Sequence, residues 1–184
     1  MNKLSLLATA TSALLFSSCA SDLTVERVSM RQSGATSDTA DRLHQSINAH
    51  RRTIGKPALR RHSGLDRLAY QHSRFMAANR GKFTLGSENI SHYGFEDRAL
   101  MAKRAYRMQS VAENVAGGKI EGDIPAALLS SWTTSTKHNY NLSQDWDATG
   151  LGVHVADDGM VYATQLFAME NRSHSALTDR LTSF

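Results

Sequence analysis

Glu113-Asn114-Val115-Ala116-Gly117-Gly118 opens the stretch whose reading decides the fold. It continues through Thr136-Lys137-His138-Asn139-Tyr140-Asn141-Leu142 to an alternating pair of segments, 151–155 and 161–167. In the last two, Leu151, Val153 and Val155 alternate with small or polar residues, and Val161, Ala163, Gln165 and Phe167 alternate with Tyr162, Thr164 and Leu166. Asp157-Asp158-Gly159 lies between them as a turn, so the spacing predicts a β-hairpin. Residues 111–116 predict a further short strand, ended by Gly117-Gly118. Asp123 and Pro125 read as the N-cap and first-turn proline of a helix over 124–132. Three polar residues, Glu113, His138 and Gln165, interrupt otherwise apolar segments, which is where a site is to be looked for.

Upstream the period changes. Leu43, Ile47, His50 and Ile54 recur at helical spacing behind Asp41, a candidate N-cap, and Gly55-Lys56-Pro57 ends that helix. Leu59 returns to the core. Ser63 can cap a second helix whose apolar face is Leu65, Leu68, Ala69, His72, Phe75 and Met76, closed by Arg80-Gly81. His72 on that face reads as a satisfied core histidine. Residues 81–94 read as a loop carrying Glu88 and His92, and a third helix shows Phe95, Ala99, Ala102 and Tyr106 on one face. Helices first and an antiparallel pair last predict an α+β domain, a sheet covered by helices.

With 184 residues the chain suits one domain plus a leader. A hydrophobic content of 41% with 21% charged residues excludes a disordered chain. The net charge of +4 comes from scattered basic pairs (Arg51-Arg52, Arg60-Arg61, Lys103-Arg104), which read as solvated helix faces. They are too sparse for a nucleic-acid footprint. The one cysteine rules out an internal disulfide.

Residues 1–18 read as a signal peptide: Lys3, then an apolar run too short to span a membrane. Leu15-Phe16-Ser17-Ser18-Cys19 is similar to a lipobox, with Cys19 lipidated, although Phe16 departs from the small residue usual there. Ala20 rather than aspartate follows Cys19, which by the sorting rule of Gram-negative lipoproteins points to the outer membrane. Cleavage after Ala20, giving a secreted or periplasmic protein, is the alternative. Residues 19–40 read as a flexible tether, 41–171 as the domain, and 172–184 as a polar tail.

His92, Glu113 and His138 could converge on a divalent ion such as zinc, but their separations match no short metal motif such as His-Glu-x-x-His. No Gly-x-Ser-x-Gly elbow provides a nucleophile. Glu88 and Glu113 are the only tempting carboxylate pair for glycoside hydrolysis.

Taken together, the motifs over 43–168 resemble the CAP superfamily, also called SCP-like. Gly55-Lys56-Pro57-Ala58-Leu59 resembles its Gly-x-Pro-x-Leu turn. Ser91-His92-Tyr93-Gly94-Phe95 with Arg98 resembles the loop supplying its first cavity histidine. Ala112-Glu113-Asn114-Val115 resembles Gly-Glu-Asn-Val. Trp132-x-x-Ser135-x-x-His138-x-x-Asn141-Leu142 resembles a bacterial signature, and Gly150-Leu151-Gly152-Val153 with 162–167 resembles the closing strands. The resemblance implies an α-β-α sandwich with a central antiparallel sheet. It also implies a cleft lined by His92, Glu113 and His138, with Gln165 bracing it, in which His92 and His138 can hold a metal. Two departures matter: the helix before Trp132 carries no second acid, which weighs against catalysis, and Lys137 replaces a glycine beside His138, a cation that opposes metal binding if it points inward. The implied function is a cell-envelope protein whose cleft binds a ligand, an envelope polymer or a protein partner. The alternative is a divalent-metal-dependent hydrolase with Glu113 as base.

Overall fold

The computed structural model describes residues 22–82 and 90–171, and for 22–33 and 35 the backbone alone. In chain order the elements are α1 (Asp22–Thr53), β1 (Arg60–Arg61), α2 (Ser63–Ala78), α3 (Phe95–Tyr106), β2 (Met108–Lys119), α4 (Ile124–Thr134), α5 (Thr136–Ser143), β3 (Ala148–Val155) and β4 (Met160–Glu170). The strands form one sheet in the order β1-β3-β4-β2. β4 is antiparallel to both neighbours, and β1 adds a two-residue parallel pairing to β3. The expected hairpin is β3–β4, and the α+β sandwich expected from the sequence is the observed architecture.

Strand alternation sorts the side chains to two faces. Val161, Ala163 and Phe167 pack with Leu43 and Ile47 of α1, Leu128 and Trp132 of α4 and Leu142 of α5. Leu166 and Ala168 pack with Leu65 and Ala69 of α2 and Ala102 of α3. Tyr162 joins Met76 and Val115 on that same second face. α2 lies directly on β3. A Cβ at Gly150 would stand 2.2 Å from the Leu65 carbonyl carbon, and one at Gly152 would stand 2.2 Å from the Tyr70 nitrogen. Only glycine lets the two backbones come that close, which accounts for the Gly150-Leu151-Gly152 spacing.

Several local expectations are corrected. α1 starts at Asp22 rather than at Asp41, inside the stretch read as a tether. His62, not Ser63, caps α2 by accepting from the Leu65 N–H. β2 runs beyond residues 111–116 at both ends. Arg51 is not on a solvated face. It is fully buried and donates to the carbonyls of Pro57, Leu142 and Gln144 at 2.9, 2.6 and 3.0 Å. Its guanidinium thus caps the C-terminal carbonyls of α5, where a cation is favoured. His72 is buried and donates from Nε2 to the Ser91 carbonyl at 2.8 Å, the satisfied core histidine expected. Among the described residues, no helix is long and apolar enough to cross a membrane.

Candidate functional site

Glu113 and Asn114 are neighbours on β2, the strand at one edge of the sheet. They therefore point to opposite faces. Asn114 is fully buried and holds α5 against the strand. Its Nδ2 donates to the His138 carbonyl at 3.0 Å, and its Oδ1 accepts from Asn141 Nδ2 at 2.9 Å. Asn141 Nδ2 also reaches the Glu113 carbonyl, at 3.3 Å. Trp132 and Leu142 anchor the same helical pair in the core. The spacing from Trp132 to Leu142 is thus a device that covers the edge of β2 and sets His138 beside Glu113.

Glu113 faces α2 and α3, where it is almost wholly enclosed. Arg98, in the first turn of α3, grips it with two parallel bonds, Nε to Oε2 at 2.8 Å and Nη2 to Oε1 at 2.9 Å. His92 Nδ1–H donates to Oε1 at 2.9 Å. Burial alone would raise the Glu113 carboxyl, but the His92 and Arg98 hydrogen bonds and the Arg98 charge outweigh it and hold the group below its ordinary value. Arg98 also donates to the Tyr93 carbonyl at 2.8 Å, and the Phe95 N–H closes on the His92 carbonyl at 2.9 Å. One guanidinium therefore fixes both the carboxylate and the turn that presents His92.

His92, Glu113 and His138 do come together. With Thr136, Lys137, Tyr140 and Asn141 they line an open cleft of about 480 Å³, a size suited to a small ligand. Burial first, and then the His92 charge, lower the pKa of His138. Lys137 is exposed and stands on the cleft wall, so a cation does accompany His138. Gln165 is not part of this cleft. It pairs with Asn114 across the sheet and shares that residue's face, opposite to Glu113. It is fully buried and donates from Nε2 to Thr149 Oγ1 at 3.1 Å. Glu88 and Cys19 lie outside the described residues.

The part played by Arg98 was missed by periodicity. Only its place beside His92 in the family-like loop pointed to it. Its consequence is chemical. A carboxylate held on both oxygens by a guanidinium is a poor general base and a poor metal ligand. Among the described residues, no three His, Cys, Asp or Glu side chains stand together so as to hold a metal ion. The donor set does not fit a zinc site with a water-activating Glu113.

The family model described as the cysteine-rich secretory protein family, CAP, matches residues 44–167, more than half of the chain. Among solved structures, an outer surface protein from Borrelia burgdorferi is similar, with a TM-score of 0.55 and 18% identity over 74% of this chain and 96% of that one. An extracellular protein containing an SCP domain from Bacillus anthracis matches with a TM-score of 0.55 and 25% identity, over 73% of this chain and 41% of that one. A cysteine-rich secretory protein from Staphylococcus aureus matches with a TM-score of 0.55 and 20% identity, over 74% and 40%. The chain thus spans about two fifths of the latter two. No curated protein matches it.

Proposed function

Because the chain belongs to the cysteine-rich secretory protein (CAP) family, we propose that it is an exported binding module whose cleft takes an anionic group of a cell-envelope ligand. The observation that carries this is the first turn of α5. Thr136, Lys137 and His138 all line the cleft, and the N-cap residue Ser135 makes no side-chain hydrogen bond to that turn. The opening N–H groups of a helix have no partners within it and carry the positive end of its dipole. Lys137 adds a positive charge and the His138 imidazole a donor, while Glu113 is already neutralised by Arg98. A carboxylate, sulfate or phosphate oxygen meets helix N–H groups and cations there, a common anion-binding arrangement.

Sulfate is a suitable probe because its charge is constant between pH 5 and 8. At fixed ionic strength its affinity should rise as pH falls, because the anion favours the protonated form of His138, which burial disfavours in the empty cleft. Linked uptake of one proton gives up to about tenfold per pH unit. Lys137→Gln should weaken binding by about twofold to fivefold, the worth of one exposed charge. Calorimetric titrations that find no sulfate binding, or binding insensitive to both pH and Lys137, would contradict the reading. Hydrolysis through Glu113 would require that carboxylate to leave Arg98. Turnover of peptide or peptidoglycan by purified protein, abolished in His138→Ala, would replace the binding role with a catalytic one.

Export rests on the leader, with lipidation at Cys19 and outer-membrane attachment as the proposed end point. The outer-surface and extracellular descriptions of the similar proteins support export.

A further inference from the structure

The two imidazoles of the cleft are set in opposite roles. An ionised carboxylate accepts hydrogen bonds and does not donate them. Glu113 accepts one from His92 Nδ1 at 2.9 Å, so a neutral His92 ring keeps its proton on Nδ1. Its Nε2 is then a bare acceptor. That nitrogen lies across the ring from Glu113 and makes no hydrogen bond among the described residues. It belongs to a side chain that lines the cleft and is 53% exposed. The carboxylate is not free to release the ring, because Arg98 holds both of its oxygens.

His138 is turned the other way. Its Nδ1 is buried without a partner, which leaves Nε2 as the nitrogen that meets the cleft. A buried N–H without a partner is rarer than a buried acceptor without one. The neutral ring therefore keeps its proton on Nε2 and donates it to whatever enters.

The cleft thus presents unlike groups. Along α5 stand Lys137, the His138 Nε2–H and the opening N–H groups of the helix, all suited to an anionic oxygen. The His92 turn brings a lone pair instead. Glu113 does not offer a ligand that acceptor, since its side chain is 1% exposed and its oxygens are engaged by Arg98 and His92. An oxyanion with no proton of its own satisfies the α5 side and leaves His92 Nε2 unpaired. A site built to pair a ligand's N–H or O–H discriminates against an analogue lacking it.

We propose that His92 Nε2 is the specificity-determining acceptor of the cleft, and that the ligand is an oxyanion carrying an N–H or O–H donor beside its charge, as the C-terminal residue of a peptide and a hydroxy acid both do. This rests on the anionic-cleft reading and adds the donor to it.

The test uses the full chain and compares hydrogenphosphate with sulfate at fixed ionic strength and about pH 8, where neutral imidazole is the ordinary form of histidine. Both probes are then tetrahedral dianions, and only hydrogenphosphate has a proton to donate. Hydrogenphosphate should bind about threefold to tenfold more tightly, the worth of one hydrogen bond. In nitrogen NMR the His92 Nε2 resonance should move with hydrogenphosphate and move less with sulfate. In His92→Asn the amide still donates to Glu113 in place of Nδ1–H, but no atom stands at the Nε2 position. That variant should bring the two anions within about twofold of each other. Circular dichroism shows whether it is folded, and the NMR measurement needs no variant. N-acetylglycine and lactate are then each set against the N-methyl or O-methyl derivative. Contrast in either pair supports the donor, the first marking a peptide end and the second a hydroxy acid; contrast in neither overturns it. Equal affinities for the two inorganic anions, or a preference kept in His92→Asn, would overturn the proposal while the anionic-cleft reading stands. If neither anion binds, the cleft reading fails and the donor falls with it.

Discussion

Glu113 and Arg98 form the decisive pair at the scale of single residues. Both are largely withdrawn from water, so removing one partner strands the other's charge. Arg98→Met should therefore destabilise the protein by about 3–5 kcal/mol. The double variant Arg98→Met with Glu113→Gln should recover a large part of that loss, because no stranded carboxylate remains. Urea denaturation of the four proteins reads the coupling, and additive losses would mean the pair is not the unit described. The pH response has a definite sign. The Glu113 carboxyl is held below its ordinary value in the folded protein. The stability it contributes is thus complete above about pH 4.3 and is lost as pH falls through the folded value. Glu113→Gln should abolish that part of the acid loss. Of these groups, the sequence brings out Glu113, His92 and His138 through their resemblance to a family pattern. Arg98 was marked only as part of the family-like loop, and its grip on Glu113 stayed hidden because a bidentate guanidinium geometry is not encoded by any spacing rule along a helix.

At the scale of elements, two close approaches position the cleft. Asn114 and Asn141 lock α5 onto the edge of β2, and Gly150 and Gly152 admit α2 onto β3. Gly152→Ala would push a methyl group into the α2 backbone, which cannot swing aside as a side chain can. We expect a loss of at least about 1–3 kcal/mol, read as a lowered denaturation midpoint. A neutral substitution there would show that α2 sits further from the sheet. α5 itself was legible only as a motif. Its eight residues, Thr136–Ser143, are too few and too polar for a clear helical period, and hydrogen bonds to β2 rather than hydrophobic patterning hold it. The start of α1 was missed for a related reason, since residues 22–40 are mostly polar and carry no apolar stripe to mark a helix.

For the whole molecule, the α+β class was readable because its hairpin and its helical faces have strong, distinct periods. Gln165 shows where that legibility stops. Its place in an alternating strand was evident, but which face it shared with Glu113 depends on register between β2 and β4, which one strand's pattern does not contain. The proposed lipid attachment belongs to this scale too. Cys19→Ser should move the protein from the membrane fraction to the soluble one, and an unchanged distribution would remove the anchor from the account. The central claim is that the cleft binds an anion and that Glu113 stays committed to Arg98. A crystal structure of the protein soaked in sulfate tests it most directly. The predicted result is a sulfate among Lys137, His138, His92 and the opening N–H groups of α5, with both Arg98–Glu113 bonds intact. A cleft without sulfate, or a metal ion shared by His92, His138 and a Glu113 released from Arg98, would contradict it.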